Sequence, residues 1–211
     1  QDYPLTIYFA DQGTPTPDPS KTFNISYLCY GGSIEAGQVN TYTSGVATTL
    51  PTEVKRENYT FMGWYDNPQF TGSPIAVLDE QATGDKVFHA KWLSSRIGFV
   101  SVKVDGHLAS SDGRGAMVVL PVGSTLPTDP SKIEMTLVPG ATAGELTTSD
   151  GGATWTFDCT AEDGITKGNC QILVSVAKTQ DEADMSDVMA ATSTIFNELT
   201  IMKDSPDLHG V

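Results

Sequence analysis

The stretch "NYTFMGWYDNPQFTG", Asn58 to Gly72, places Tyr59, Phe61, Trp64, Tyr65 and Phe70 within fifteen residues. Aromatic side chains this close together either build a core or form a platform for sugars or bases. The stretch lies among short apolar–polar alternations. "FNISYLCY" sets Phe23, Ile25, Tyr27 and Cys29 on one face, and "QVNTYTSG" and "KVFHAKW" alternate in the same way. A period of two, rich in β-branched and aromatic residues and punctuated by Gly, Asn and Asp, predicts strands. The expected class is therefore mostly β, of the α+β kind.

Four parts follow from the punctuation. Residues 1–10, "QDYPLTIYFA", predict a strand with Tyr3, Leu5, Ile7 and Phe9 on one face. Residues 11–22 are proline-rich and read as a semi-extended linker. Residues 23–93 form a first β-rich domain, and 94–211 a second one ending in an amphipathic segment. In that last segment Met185, Val188, Met189, Ile195, Phe196, Leu199 and Met202 recur at spacings of three and four, which predicts a helix. Its β-branched "TSTIF" and "LTI" leave a strand over 193–202 as the alternative.

The order Gly31-Gly32, Leu50-Pro51, Tyr59, Phe61, Gly63, Trp64, Tyr65, then Ala90, Lys91 and Trp92 resembles the Listeria–Bacteroides repeat of bacterial surface proteins such as internalins. The resemblance covers about a third of the chain. It implies a small β-grasp-like fold with Tyr59, Phe61, Gly63, Trp64, Tyr65 and Trp92 as core or strand-border residues. It also implies an extracellular spacer or adhesive protein without catalysis. Asn58 stands where the family usually has Gly, a departure in a loop. Residues 97–178 are read as a divergent second copy, with "STLPTDPSK" echoing "TTLPTEVK" and "GFVSVKVDG" in the place of "FNISYLCYGG". An unrelated β domain is the competing reading.

A formal net charge of −14 argues against nucleic acid and anionic membranes as partners, since both are polyanions. No apolar run is long enough to span a bilayer. Gln1 reads as the first residue of a mature, secreted chain. Cys159 and Cys170, eleven apart around a turn-rich segment, predict a disulfide suited to an oxidising compartment. Cys29 is either a buried thiol or an intersubunit bridge. Asn24-Ile-Ser and Asn58-Tyr-Thr are glycosylation acceptors where the machinery exists.

Chemistry-bearing motifs are sparse. His89, His107 and His209 have no partner at metal-ligand spacing. No nucleophile elbow, zincin, Walker or dinucleotide motif occurs. No metal or cofactor is expected, and no enzyme. The resulting expectation is an extracellular cell-surface structural protein that assembles with copies of itself or other surface proteins. The N-terminal strand would insert into a neighbour's sheet in a head-to-tail contact and build a pilus-like filament, or instead pair within its own chain. The alternative is an adhesin or carbohydrate-binding module with a glycan ligand, in which Trp155, among Gly and Thr, is the expected sugar platform.

Overall fold

The computed structural model describes residues 18–203. The N-terminal strand expected at 1–10, with Tyr3, Leu5, Ile7 and Phe9, lies outside the described residues, as does His209. The described chain is mostly β with one C-terminal helix, as the alternation predicts. It divides into two compact units. The first takes the chain up to Cys29, then Ile34–Val54 and Gly63–Lys91; the second takes Tyr30–Ser33, Lys55–Met62 and everything from Trp92 onward.

The first eight strands are β1 (Thr22–Leu28), β2 (Ser33–Ala36), β3 (Thr41–Thr43), β4 (Thr48–Thr49), β5 (Glu53–Lys55), β6 (Tyr59–Tyr65), β7 (Val77–Leu78) and β8 (Lys86–Ser94). The main sheet runs β3-β1-β8-β6. Its centre is a parallel pair, with Ile25 opposite Lys86 and Leu28 opposite His89. Parallel partners need a long crossover, and the 57 residues between β1 and β8 supply it together with two small two-stranded sheets. Along β1 the alternation holds: Ile25 is buried and Leu28, on the opposite face, is exposed.

Trp64 anchors the core of the first unit. It is 1% exposed. Its indole N–H donates to the Pro51 carbonyl at 2.7 Å, so the one polar atom of the ring is satisfied. The Tyr27 ring packs on it at 4.8 Å between centroids. Gly63, just before it, has φ +114°, and a Cβ there would lie 2.5 Å from Pro74 Cβ. Only glycine meets both the conformation and the space. Truncation of Trp64 to Ala is expected to cost about 3–5 kcal/mol, read as a lower urea midpoint at unchanged slope; a cost below about 1 kcal/mol would contradict the anchoring role.

The second unit holds β9 (Phe99–Val104), β10 (His107–Leu108), β11 (Ser110–Ser111), β12 (Gly115–Leu120), β13 (Ile133–Leu137), β14 (Thr142–Ala143), β15 (Thr147–Thr148), β16 (Thr154–Thr160), β17 (Lys167–Val176) and helix α1 (Gln180–Lys203). One sheet runs β10-β9-β13 and the other β11-β12-β17-β16-β14, with β15 also on β16. Inward residues of both build a single apolar cluster, including Phe99, Val102, Val118, Trp155, Phe157 and Ile172. β12 and β17 pair in parallel from Gly115–Gln171 to Leu120–Val176. The strand parallel to the last strand is thus "GAMVVL". "GFVSVKVDG", set opposite "FNISYLCYGG" in the sequence comparison, is β9 and pairs with β10 and β13 instead.

A buried carboxylate organises the β16–β17 turn. Asp163 Oδ1 accepts from the N–H groups of Ile165 (2.9 Å) and Thr166 (2.8 Å). Its Oδ2 accepts from the hydroxyls of Thr60 (2.6 Å) and Thr166 (2.7 Å). The same turn is joined to the end of β8, where Asp163 N–H donates to the Ser94 carbonyl at 3.1 Å and Ser94 N–H to Glu162 Oε2 at 2.9 Å. Burial alone pushes the Asp163 carboxyl up, but these hydrogen bonds outweigh it and hold it down at about 2. A depressed folded-state value means that the stabilisation is complete above the ordinary value of 3.8 and is lost as pH falls from there toward 2. Asp163→Asn is expected to flatten the acid limb of the stability profile between pH 4 and 2 as well as lower stability at neutral pH, by denaturant unfolding at each pH. An unchanged acid limb would exclude this role.

Candidate functional site

Helix α1 begins with reciprocal capping. Glu182 N–H donates to Thr179 Oγ1 at 3.3 Å, while the Glu182 carboxylate accepts from Lys178 N–H at 2.9 Å. Asp181 and Glu182 in the first turn also suit the helix dipole. The periodicity argument for a helix therefore holds, and the strand alternative over 193–202 does not: all of it is helical.

The face that docks is not the apolar stripe. Ala183 and Ala190 are buried, and Ser186, Ser193, Asn197 and Ile201 are half-buried, at spacings of three and four. Small side chains let the helix approach β11 closely, and the polar ones bond to it. Ser111 N–H donates to Ser193 Oγ at 3.0 Å, and Asn197 Nδ2 donates to Ser111 Oγ at 2.6 Å. β11 is an edge strand of two residues, paired only with Ala116 and Met117 of β12, so the helix supplies partners that a longer neighbour strand would have given. The large apolar residues point outward instead: Val188 is 68% exposed and Phe196 71%.

Two shallow depressions meet at Ser111 and Asp112. One, of about 330 Å³, lies over Met117 and Leu173 on the outer sheet face. The other, of about 520 Å³, lies along Val188, Met189 and Phe196. Together they make a trough bordered by apolar side chains of sheet and helix, with Ser111 and Asp112 shared between the two. Contiguous exposed apolar surface of this kind marks an interaction site.

The other sequence-predicted residues lie as follows. Tyr65 is buried, packing edge-on to Phe70 at 5.7 Å, and Trp92 packs on Phe61 at 5.4 Å. Tyr59 lies under the Arg56 guanidinium at 3.9 Å. Asn58 has φ +62°, the left-handed conformation that Asn tolerates best after Gly, which accounts for its standing in a glycine position. Asn24 is exposed and its N–H donates to Asp85. Trp155 is 1% exposed, so the sugar platform expected there does not exist. Its setting among Gly and Thr reflects the turn before β16, while the residue itself points inward.

The disulfide expected between Cys159 and Cys170 is not formed; both are buried free thiols. In the register of β16 and β17, Cys170 faces Phe157 and Cys159 faces Gly168. The cysteines are thus diagonal, and diagonal neighbours sit farther apart than the roughly 3.8 Å between Cβ atoms that a disulfide requires. Burial, with Cys159 beside it, pushes the Cys170 thiol up to about 12, so it stays protonated and inert. Cys29 is half-buried and its thiol is also raised by burial. Thiol titration of unfolded, unreduced protein is expected to count all three cysteines; a count of one would show that the bridge forms.

Residues 23–91 match the family model of the Listeria-Bacteroides repeat domain, a repeat typical of bacterial surface proteins. The match covers the sheet β3-β1-β8-β6 and the Trp64 core. No curated protein and no solved structure matches the chain. Among the described residues no helix is long and apolar enough to cross a membrane, and no group of three His, Cys, Asp or Glu is placed to hold a metal ion.

Proposed function

We propose that the chain is a non-enzymatic, extracellular surface protein that assembles with copies of itself through strand complementation. The observation that carries this reading is the apolar trough between α1 and the β11–β12 edge. An exposed phenylalanine, two methionines, a valine and a leucine on adjoining elements are costly to leave in water, at about 25 cal/mol per Å² of apolar surface. The repeat domain supports the surface setting and the absence of catalysis, since its family is that of bacterial surface modules.

The occupant is the N-terminal segment of a second copy. Tyr3, Leu5, Ile7 and Phe9 recur at every second position, and a proline-rich composition such as that of the stretch after them favours an extended chain. A strand laid along the trough sets one apolar face against Met117, Leu173, Val188, Met189 and Phe196. Because the donor segment and the acceptor trough are different surfaces, the contact is head-to-tail and repeats into a filament.

Full-length protein is expected to form filaments visible by electron microscopy, and a variant lacking residues 1–12 is expected to run as a folded monomer in light scattering. Phe196→Glu, at an exposed position, is expected to block assembly with little loss of thermal stability. Assembly of the truncated protein at the full-length level would exclude strand exchange from the N-terminus.

A further inference from the structure

The chain has six methionines, all of them among the described residues. They fall into two groups. Met62 and Met135 are half-buried, and Met135 packs against the apolar cluster of the second unit. Met117, Met185, Met189 and Met202 are exposed. Every exposed methionine therefore lies on α1 or on β12, two of the elements that border the trough. Met117 lines the depression on the sheet side and Met189 the one on the helix side, at 51% and 61% exposure. Met185 and Met202 share the helix with Met189 but line neither depression.

Two kinds of sulfur are open to oxidants in principle, and the fold separates them. A thiol reacts as its thiolate. Cys159 and Cys170 are buried, burial pushes the Cys170 thiol up to about 12, and burial also raises half-buried Cys29. A thioether has no proton to lose, so exposure sets its access to an oxidant. Leucine would cover the same apolar surface without this chemistry. Methionine adapts its flexible side chain to a docking partner and can also be oxidised. With a peroxide as oxidant, the sulfur lone pair attacks one peroxide oxygen and an S–O bond forms. The O–O bond breaks, and the departing oxygen takes up the proton and leaves as water. Sulfur loses two electrons and the peroxide gains them. A sulfoxide reductase reverses the step, with two thiols supplying the electrons and protons that release the oxygen as water.

From this placement we propose that Met117 and Met189 form a reversible oxidation site, at which peroxide switches off assembly of the free chain. The inference rests on the assembly reading above and names the regulation of the same trough. Each sulfoxide sets a strong hydrogen-bond acceptor on a border of the trough that an apolar strand has to cover. Leu5, Ile7 and Phe9 carry no side-chain donor to meet it, so burial costs the oxygen its hydration. The fold itself is spared, because both side chains are exposed in the free chain. A strand seated in the trough covers Met117 and Met189 and leaves Met185 and Met202 open. Assembly thus shields its own switch, and oxidation acts before the contact forms.

Full-length protein is treated with hydrogen peroxide either as free chain or as filaments, and each methionine is followed by peptide mass spectrometry. In the free chain the four exposed methionines are expected to convert ahead of Met62 and Met135. In filaments Met117 and Met189 are expected to be protected, while Met185 and Met202 convert as before. Oxidised free chain is expected to need about tenfold or more higher concentration to form filaments, at unchanged unfolding temperature. Sulfoxide reductase with dithiothreitol is expected to restore assembly. Met185→Leu combined with Met202→Leu, both outside the trough, is expected to leave assembly as sensitive to peroxide as before. Filaments that form equally well with Met117 and Met189 oxidised would overturn this inference alone. So would equal conversion of all four methionines in filaments, a peroxide-insensitive double variant, or a loss of assembly that comes with a lower unfolding temperature. Untreated protein that forms no filaments would instead remove the assembly reading, and this inference with it.

Discussion

A sheet edge must find partners for its backbone, and in this protein the edge at β11 decides the character of the second unit. β11 offers two residues to β12 and no more. The groups left over are answered by side chains of α1, with Ser193 and Asn197 bonded to Ser111. A helix that docks through serine, asparagine and alanine cannot also bury its large apolar residues against the same edge. Valine, methionine and phenylalanine are turned to solvent as the geometric consequence. The apolar trough is thus not an accident of a loose C-terminus; it follows from using a helix to close a short edge.

The first unit solves a different problem. Its central parallel pair leaves 57 residues of crossover, much of it without long strands. Short strands carry little stability alone. Trp64 compensates by burying a large ring against Tyr27 and by bonding to Pro51 inside the crossover, so one side chain fixes both sheet and connection. The Tyr42 hydroxyl, donating to the Gly84 carbonyl at 2.6 Å, ties β3 to the chain before β8 in the same way.

The strands were legible because a half-buried strand writes a period of two into its sequence. The Trp64 core was legible because tyrosine, phenylalanine, glycine and tryptophan at fixed spacing carry the repeat resemblance. What stayed hidden depended on pairing. The helix could be read at Met185 to Met202, but periodicity finds two faces and does not say which one docks; small residues at 183, 186, 190 and 193 were the available signal. "GAMVVL" is too short and too lightly flanked to announce itself as the parallel partner of β17. Cys159 and Cys170 have the spacing of a bridged hairpin, yet one step of register makes them diagonal. Trp155 sits among turn residues that suggest exposure, while its neighbours Phe157 and Cys159 alternate with it into the core.

The charge of the chain constrains how any assembly works. Copies carrying −14 each repel one another, and more strongly as salt is lowered. The acidic residues of α1, Asp181, Glu182, Asp184, Asp187 and Glu198, lie on the helix that borders the trough, and the N-terminal segment carries Asp2 and Asp11, so ionic attraction would not drive the proposed contact. Under the proposed assembly, apolar burial in the trough would have to supply the attraction, and the charge would oppose collapse into disordered aggregates. An apolar trough in a strongly acidic protein would therefore combine solubility of the free chain with one directional contact, which is what the proposed end-to-end assembly requires.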